Sequence, residues 1–207
     1  MANKPTIVGI GSASRKILNY IYKYEPDLKF LCIDRRELKN PKNDNFLRFF
    51  KPDLKVCESK AGCGITRSLT RNRSQKDEEN LKKSDIKTLS FKDFASIGRA
   101  LNGENNIVVI LPLGGNFGND MGQYIIRYLI SQNKDISVIA TTPFKFEGKN
   151  KLQESKNSLA QIEEIVFDTT VFNNNSLLDK LDTQVSLPDA FRIIDEILYD
   201  TLKEKFL

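Results

Sequence analysis

The chain has 207 residues, enough for one domain with a substantial core. Its residues are 40% hydrophobic and 29% charged, as in ordinary globular proteins, and no apolar run approaches the roughly 18 residues of a membrane span. The sequence has no histidine, and its three cysteines, Cys32, Cys57 and Cys63, lack C-x-x-C spacing. This excludes His-dependent triads and argues against a zinc site or a disulfide framework. Residues 1–11 lack the layout of a signal peptide, so we expect a cytoplasmic location.

The formal net charge of +5 is unevenly distributed along the chain. Residues 35–92 hold 16 Lys/Arg and 8 Asp/Glu, so the remainder is slightly acidic. We interpret this segment as a charged, solvated insertion. A nucleic-acid surface is the alternative, but the Arg-rich stretch 67–73 has no aromatic side chain for base stacking. We therefore do not expect a nucleic-acid partner.

The pattern of apolar residues predicts alternating strands and helices. We predict strands over 6–11, 28–33, 107–111, 136–140 and 166–172, and helices near 17–22, 74–83, 91–101, 121–130, 151–165 and from 187 to the C-terminus. The unbroken apolar run 107–111 is typical of a central strand that is covered on both faces. The alternation predicts one doubly wound α/β domain over 1–207, with a mainly parallel sheet and helices on both faces.

Two glycine-bearing turns follow strands at the sheet edge where α/β domains bind ligands. They are GIGSAS at 9–14 and GGNFGND at 114–120. Small residues let backbone N–H groups approach an anion, and the N-terminus of the following helix adds partial positive charge. No G-x-x-x-x-G-K-[ST] motif is present, so this is not a P-loop enzyme. The turns predict a phosphate site, with tight helix–strand packing as the alternative.

The second turn resembles the G-G-G-T-G-[ST]-G signature of the tubulin/FtsZ superfamily. Gly114, Gly115 and Gly118 occupy three of its four glycine positions. The opening Gly9-Ile10-Gly11 and Asn19 also match the family. Three further segments follow in the family's order. They are TPFKFEG at 142–148, similar to K-P-F-x-F-E-G of FtsZ; NNNSLL at 173–178, similar to P-N-D-R-L-L; and SLPDAF at 186–191, similar to the L-L-D-A-F that opens the central helix.

Outside 35–92, order and spacing thus resemble a divergent FtsZ-like protein with the N-terminal nucleotide-binding domain. The resemblance implies binding of GTP or GDP, with Mg²⁺ as an accompanying ion. Glu147 would hold the ribose hydroxyls, Asn174 would read the guanine edge, Phe191 would stack on the base, and Asp195 would accept from guanine N1 and N2. The implied nucleotide-binding set is Gly9, Gly11, Ser12, Gly114, Gly115, Asn116, Phe117, Gly118, Pro143, Glu147, Lys151, Asn174, Phe191 and Asp195, with no catalytic residue and no metal ligand.

Each role has a structural alternative. Phe191 could be a core residue, Asp195 a solvated helix charge and Glu147 an acid at a helix N-terminus. Two departures from the family are predicted to weaken phosphate binding. Phe117 is bulky where the family has a small hydroxyl residue, and Asp120 would place a negative charge at a helix N-terminus that faces anions.

The resemblance also implies that the acidic loop and the C-terminal domain of FtsZ, which complete hydrolysis in the next subunit, are absent from 1–207. We therefore expect guanine-nucleotide binding without efficient hydrolysis or conventional filament formation by this chain alone. FtsZ, or self-association, is the expected partner. One alternative is a nucleotide-free scaffold or regulator of FtsZ or another protein. The other is an NAD(P)-dependent oxidoreductase with Gly9-Ile10-Gly11 and Asp34 as a partial fingerprint, but it leaves the second glycine turn unexplained.

Overall fold

The computed structural model describes residues 4–34, 48–50, 55–56, 87–88, 91–178 and 186–207. Most of the basic segment 35–92, including the helix predicted over 74–83, lies outside the described residues. The elements in chain order are β1 (Thr6–Ile10), α1 (Ser14–Tyr24), β2 (Lys29–Ile33), β3 (Arg48–Phe50), β4 (Lys55–Val56), β5 (Lys87–Thr88), α2 (Phe91–Ala100), β6 (Asn106–Pro112), α3 (Asn116–Ser131), β7 (Asp135–Thr142), a 3-10 turn (Lys145–Glu147), α4 (Lys149–Glu163), β8 (Thr169–Asn173), α5 (Asn174–Leu178) and α6 (Leu187–Phe206). None of the described helices has the length and apolar character of a membrane span.

Six strands form the main sheet in the order β3-β2-β1-β6-β7-β8, and every neighbouring pair is parallel. This confirms the predicted doubly wound parallel sheet. The five residues 107–111 of β6 are all buried, as expected for a central strand. From β1 the chain first builds outward to one side through β2 and β3, and then returns to add β6, β7 and β8 on the other side. The topological switch point therefore lies between β1 and β6, where such sheets bind ligands.

Helices cover both faces of this sheet with separate apolar layers. One layer packs α2, α3 and the end of α4 against the strands, and the other packs α1 and α6 against the opposite face. The buried residues of α6 recur one turn apart, at Ala190, Ile194, Leu198 and Leu202. This spacing confirms the predicted amphipathic C-terminal helix. The packing holds α6 beside α1, with Phe191 near the start of α6 against Phe144, and Lys205 near its end against Asp168 before β8.

Two of the element boundaries that differ from the predictions have a clear physical cause. The strand predicted from 166 begins at Thr169, because the N–H of Val166 instead donates to the Ile162 carbonyl at 2.9 Å and closes the end of α4. The helix predicted to begin near 121 begins at Asn116. Gly115 is its N-cap in an extended conformation, and the N–H of Asn119 donates to the Gly115 carbonyl at 3.0 Å. The second half of the glycine turn is therefore the first turn of α3.

Candidate functional site

The two glycine turns meet at the switch point of the sheet. Gly11 has φ +89°, and a Cβ there would lie only 3.7 Å from the backbone nitrogen of Gly118. Gly118 also lies close over the end of β6, where an added Cβ would be 3.0 Å from the Pro112 carbonyl oxygen. A side chain at Gly118 would therefore push α3 away from the strand. Because neither glycine has a side chain, the backbones of the two turns lie next to each other at the carboxyl ends of β1 and β6.

The first turn is held by Ser14, whose Oγ donates to the Gly11 carbonyl at 2.6 Å. Gly9 lies beneath this bond, with no space for a Cβ between Ser14 and Leu18. Ser12 is exposed at the tip of the turn. Ala13 is the N-cap of α1, and within the described residues this helix has neither a side-chain cap nor an acidic residue in its first turn. The N–H groups of Ser14 and Lys16 donate to the carbonyls of Gly11 and Ala13, both at 3.2 Å, so the N–H of Arg15 and the positive end of the helix remain for an anion.

The second turn has the same character. Gly114 has φ +101°, and a Cβ there would lie 2.8 Å from Cβ of the buried Pro143. Gly115 and Asn116 are exposed where α3 begins. As far as the described chain extends, α3 too lacks a side-chain cap and has no acidic residue in its first turn. Two helix N-termini without a capping carboxylate or hydroxyl thus converge on the Gly11–Gly118 contact.

The side chain of Phe117 lies in the core and not in the opening of the turn. It is 6% exposed and packs in the apolar layer of α2, α3 and α4. Asp120 is the exposed fifth residue of α3, beyond its first turn. The predicted obstruction of the glycine turn by the Phe117 side chain is therefore wrong, and so is the predicted placement of the Asp120 charge at the start of the helix. The backbone of Phe117 remains in the first turn of α3, as a phosphate-binding role requires.

Pro143 connects the second turn to an aromatic cluster at the other end of the site. The next residue, Phe144, is fully buried and stacks on Phe146, with ring centroids 4.8 Å apart. Its edge meets the ring of Phe191 of α6, with centroids 5.2 Å apart and planes at 83°. Phe191 is nevertheless 44% exposed. Phe144 supports the ring of Phe191 on one side, and the rest of the ring is accessible. This arrangement suits stacking on a ligand better than the alternative role as a core residue.

Asp195 follows Phe191 by one helical turn and faces α1. Burial raises the pKa of Asp195 to about 6, against the lowering effect of the nearby Lys16. The side chain of Asp195 is half-buried, which argues against the alternative of a solvated helix charge. A carboxylate held in this way can form strong hydrogen bonds with N–H donors that replace its lost water.

Two buried amide oxygens lack partners near this end of the sheet. The Oδ1 atoms of Asn174 and Asn19 form no hydrogen bond with any described residue. Asn174 is 6% exposed and begins α5. The adjacent Asn175 fixes its position, since its side chain accepts from the Lys145 N–H at 2.7 Å and donates to the Pro143 carbonyl at 3.2 Å. Buried acceptors without donors are uncommon in folded proteins, so a ligand or an ordered water is expected to supply the donors for these oxygens.

Glu147 has structural partners within its own segment. Its Oε1 accepts from the Phe144 N–H at 2.9 Å, and its Oε2 lies 3.4 Å from Nζ of Lys151. This matches the alternative of an acid that caps a helical turn, and it holds the aromatic cluster in place. Glu147 is half-buried and Lys151 is exposed, so both can also be reached from solvent. Their roles toward ribose and phosphate stay predictions.

Comparisons with known proteins agree with this geometry. The sequence matches no model of a known protein family. It is 30% identical over 93 residues to the mitochondrial division protein fszB of Dictyostelium discoideum, a match that covers 44% of this chain and 25% of that protein. An empty FtsZ dimer from M. jannaschii superposes with a TM-score of 0.64 at 18% identity, over 98% of this chain and 54% of that one. GDP-bound CetZ1 from Haloferax volcanii gives 0.62 at 16% identity, over 96% and 58%.

The sheet order and the helices on both faces define a doubly wound α/β domain with paired glycine turns at its switch point. The particular fold is that of FtsZ and tubulin, because the likeness to FtsZ and CetZ1 extends over nearly the whole chain. This confirms the fold that the sequence motifs indicated. The chain spans between 54% and 58% of the length of these two solved structures.

Proposed function

We propose that this chain is a divergent FtsZ-like protein that binds guanine nucleotide, GTP or GDP. The observation that carries the proposal is the convergence of two uncapped helix N-termini at the Gly11–Gly118 contact. The start of α4 also lacks a side-chain cap and an acid, whereas α6 is capped by Ser186, so the proposal rests on the meeting of two such starts at one place and not on the lack of a cap alone. The start of α3 and the Arg15 N–H of α1, together with the positive ends of both helices, remain for phosphate oxygens.

The other end of the site supports guanine as the base. Guanine presents N1–H and N2–H donors on one edge, whereas the same edge of adenine has no such pair. The ionised carboxylate of Asp195 and the unpaired Oδ1 of Asn174 are acceptors that suit this edge. Phe191 offers an exposed ring for stacking. A site built on acceptors discriminates strongly against a base without donors, since its buried oxygens would stay unpaired.

The proposed site has no side-chain cage for a metal ion. Within the described ranges there is no group of three or more His, Cys, Asp or Glu residues that could hold one. Mg²⁺ prefers phosphate oxygens and water to a dedicated protein cage, so we propose that it enters bound to the phosphates. Glu147 and Lys151 are the charged residues proposed to contact the ribose side of the nucleotide.

Nucleotide-dependent thermal stability tests the proposal. We expect GTP and GDP to raise the melting temperature, because a ligand that binds only the folded state adds RT ln(1 + [L]/Kd), about 2.7 kcal/mol at 100 Kd. NAD⁺ and NADP⁺ serve as controls for the oxidoreductase alternative and should leave the transition unchanged. If neither guanine nucleotide shifts the transition at millimolar concentration, the proposal fails and the nucleotide-free scaffold becomes the better hypothesis.

We further propose that residues 1–207 alone bind GTP without efficient hydrolysis or conventional filament formation. In-line attack requires a polar group that positions water, in addition to the phosphate donors. In the described part of the chain, the first turns of α1 and α3 supply no acid for this purpose. Phosphate release should therefore stay at background at every protein concentration. Turnover that is lost in Asp120→Ala would contradict the proposal, and turnover of the mixture above that of FtsZ alone would identify FtsZ as the partner.

A further inference from the structure

We infer that the outer edge of β8 is a docking surface for a second copy of this chain, and that the two β8 strands pair there antiparallel about a two-fold axis at Val171. The inference goes beyond nucleotide binding and does not depend on it, because β7 separates β8 from β6 and its glycine turn. Within the described ranges β8 ends the sheet order, so it has a neighbouring strand on one side only.

The sequence of β8 lacks the features with which edge strands usually resist pairing. Its five residues, Thr-Thr-Val-Phe-Asn at 169–173, include no charge and no proline. They pair with β7 residue by residue, so no bulge turns the strand away. Natural sheets protect an edge with lysine, proline, a bulge or a very short strand, because unpaired backbone groups recruit another strand. The strand at the opposite edge, β3, has three residues, and one of them is Arg48.

The backbone groups of Val171 point away from β7. The N–H of Val138 donates to the Asp168 carbonyl at 2.9 Å, and the two strands are parallel and in register. Consecutive residues of a strand direct their N–H and C=O groups to alternate sides, so the even-numbered residues of β8 face β7 and the odd-numbered ones face outward. In an antiparallel pair, two outward-facing residues exchange both hydrogen bonds. Val171 can therefore pair with Val171 of the second copy, and one two-fold axis satisfies both chains.

The same register places Thr169 opposite Asn173 of the second copy. The Thr169 N–H already donates to the Phe167 carbonyl at 3.2 Å, which leaves the Thr169 carbonyl for the Asn173 N–H. The pairing thus adds two hydrogen bonds at the axis and one at each end. Lys205 of α6 donates to Oγ1 of Thr170 at 2.8 Å, so the odd-numbered side chains lie on the other face of the sheet, clear of this contact.

Apolar exposure and charge favour a copy of this chain as the occupant. Phe167 is fully exposed, more than any other large apolar residue of the described chain. The two-fold register puts Phe167 and Asp168 opposite the start of α5 in the second copy, where Asn175 accepts from the N–H of the exposed Lys145 at 2.7 Å. The turn at Lys145 also carries Phe146, which is 61% exposed. Each copy thus brings a ring and an acid toward a ring and a base of the other.

Sedimentation velocity over a range of protein concentrations tests the inference. We expect the wild-type chain to form a dimer with or without GDP, because the surface lies outside the glycine turns. Val171→Lys should raise the dissociation constant of the dimer by about 10-fold or more, since it sets like charges directly opposite each other at the axis. Ile130→Lys is the matched control, because Ile130 is 37% exposed, against 36% for Val171, and lies near the end of α3. It should dimerise like the wild type.

Hydrogen exchange of the wild-type protein gives a second readout, which decides the matter should Val171→Lys fail to fold. The amide N–H groups of Val171 and Asn173 should become protected as protein concentration rises through the dimer transition. A wild-type chain that stays monomeric at millimolar concentration would overturn the inference, and so would a dimer that forms only with nucleotide. A dimer in which the Val171 amide exchanges as fast as in the monomer, or which Val171→Lys and Ile130→Lys affect equally, would show that the chains meet elsewhere and that the inference is wrong.

Discussion

Replacing Asp195 with asparagine should weaken guanine-nucleotide binding by about 10- to 100-fold and at the same time stabilise the ligand-free protein at neutral pH. The loss of affinity follows because the amide offers one acceptor and one donor where the guanine edge needs two acceptors, at a cost of about 1–3 kcal/mol. Affinity for adenine nucleotides should change little. The affinity of the wild-type protein for guanine nucleotide should rise as the pH passes about 6, because the Asp195 carboxylate ionises in this range.

The expected gain in stability and the expected loss of affinity have the same cause, which is the partly buried carboxylate of Asp195. The pKa of Asp195 is about 6 in the folded chain, against about 3.9 in an unfolded one. Between these values the folded state holds a proton that the unfolded state has lost. The contribution of Asp195 to the free energy of unfolding therefore decreases as pH rises through this window. Asparagine avoids this loss. After allowance for the partial exposure of the carboxylate, we expect a gain of about 1 kcal/mol, or about 2–4 °C, at pH 7.5 and none at pH 4.

Melting curves and GDP titrations from pH 5 to 8 measure both effects on one pair of proteins. Asp200→Asn is the matched control, because Asp200 is an exposed acid of the same helix. It should change neither the melting temperature nor the preference for guanine. An Asp195→Asn protein that loses stability at pH 7.5, or that loses guanine and adenine nucleotides equally, would show that Asp195 has a structural role and does not read the base.

The sequence predicted the parts of the fold that depend on local pattern. The apolar run 107–111 gave the central strand, since only a strand covered on both faces tolerates so long a stretch without polar residues. The spacing of the apolar residues in α6 gave an amphipathic helix on the sheet. Segment order then indicated the FtsZ fold, although the identity to the FtsZ structure is only 18%.

Features that depend on tertiary contacts were not predictable in this way. The start of α3 was placed too late because its N-cap is a glycine, which gives a weaker signal than Ser, Thr, Asp or Asn. Because α3 begins at Asn116, the side chain of Phe117 lies in the core and Asp120 lies beyond the first turn of the helix. The unpaired state of the buried Asn19 and Asn174 oxygens was not predictable either, because pairing is a property of the packed structure. The family resemblance identified both residues by position, but it did not show that their oxygens lack partners among the described residues.

Among substitutions of a glycine by alanine in the two glycine turns, Gly114→Ala should lower the stability of the protein most. Gly115→Ala, one residue later, should have only a small effect. An alanine at φ +101° is strained by about 1–2 kcal/mol. Its Cβ would also lie 2.8 Å from Cβ of the buried Pro143, and such overpacking costs typically 1–3 kcal/mol more. Gly115 has φ −94° and open space around its Cβ position, so alanine there should cost under about 1 kcal/mol as a poorer N-cap.

Urea unfolding of the two variants measures this difference, and GDP titration shows whether it reaches the site. Relief of the clash at Gly114 requires the turn to move away from Pro143, which is followed in the chain by Phe144, the support for the Phe191 ring. We therefore expect Gly114→Ala to lose affinity for GDP even in the fraction that remains folded, and Gly115→Ala to retain affinity within about threefold. Equal stability of the two variants would mean that the 113–115 turn is not held against Pro143. Equal affinity for GDP would mean that the phosphates bind elsewhere than at this turn.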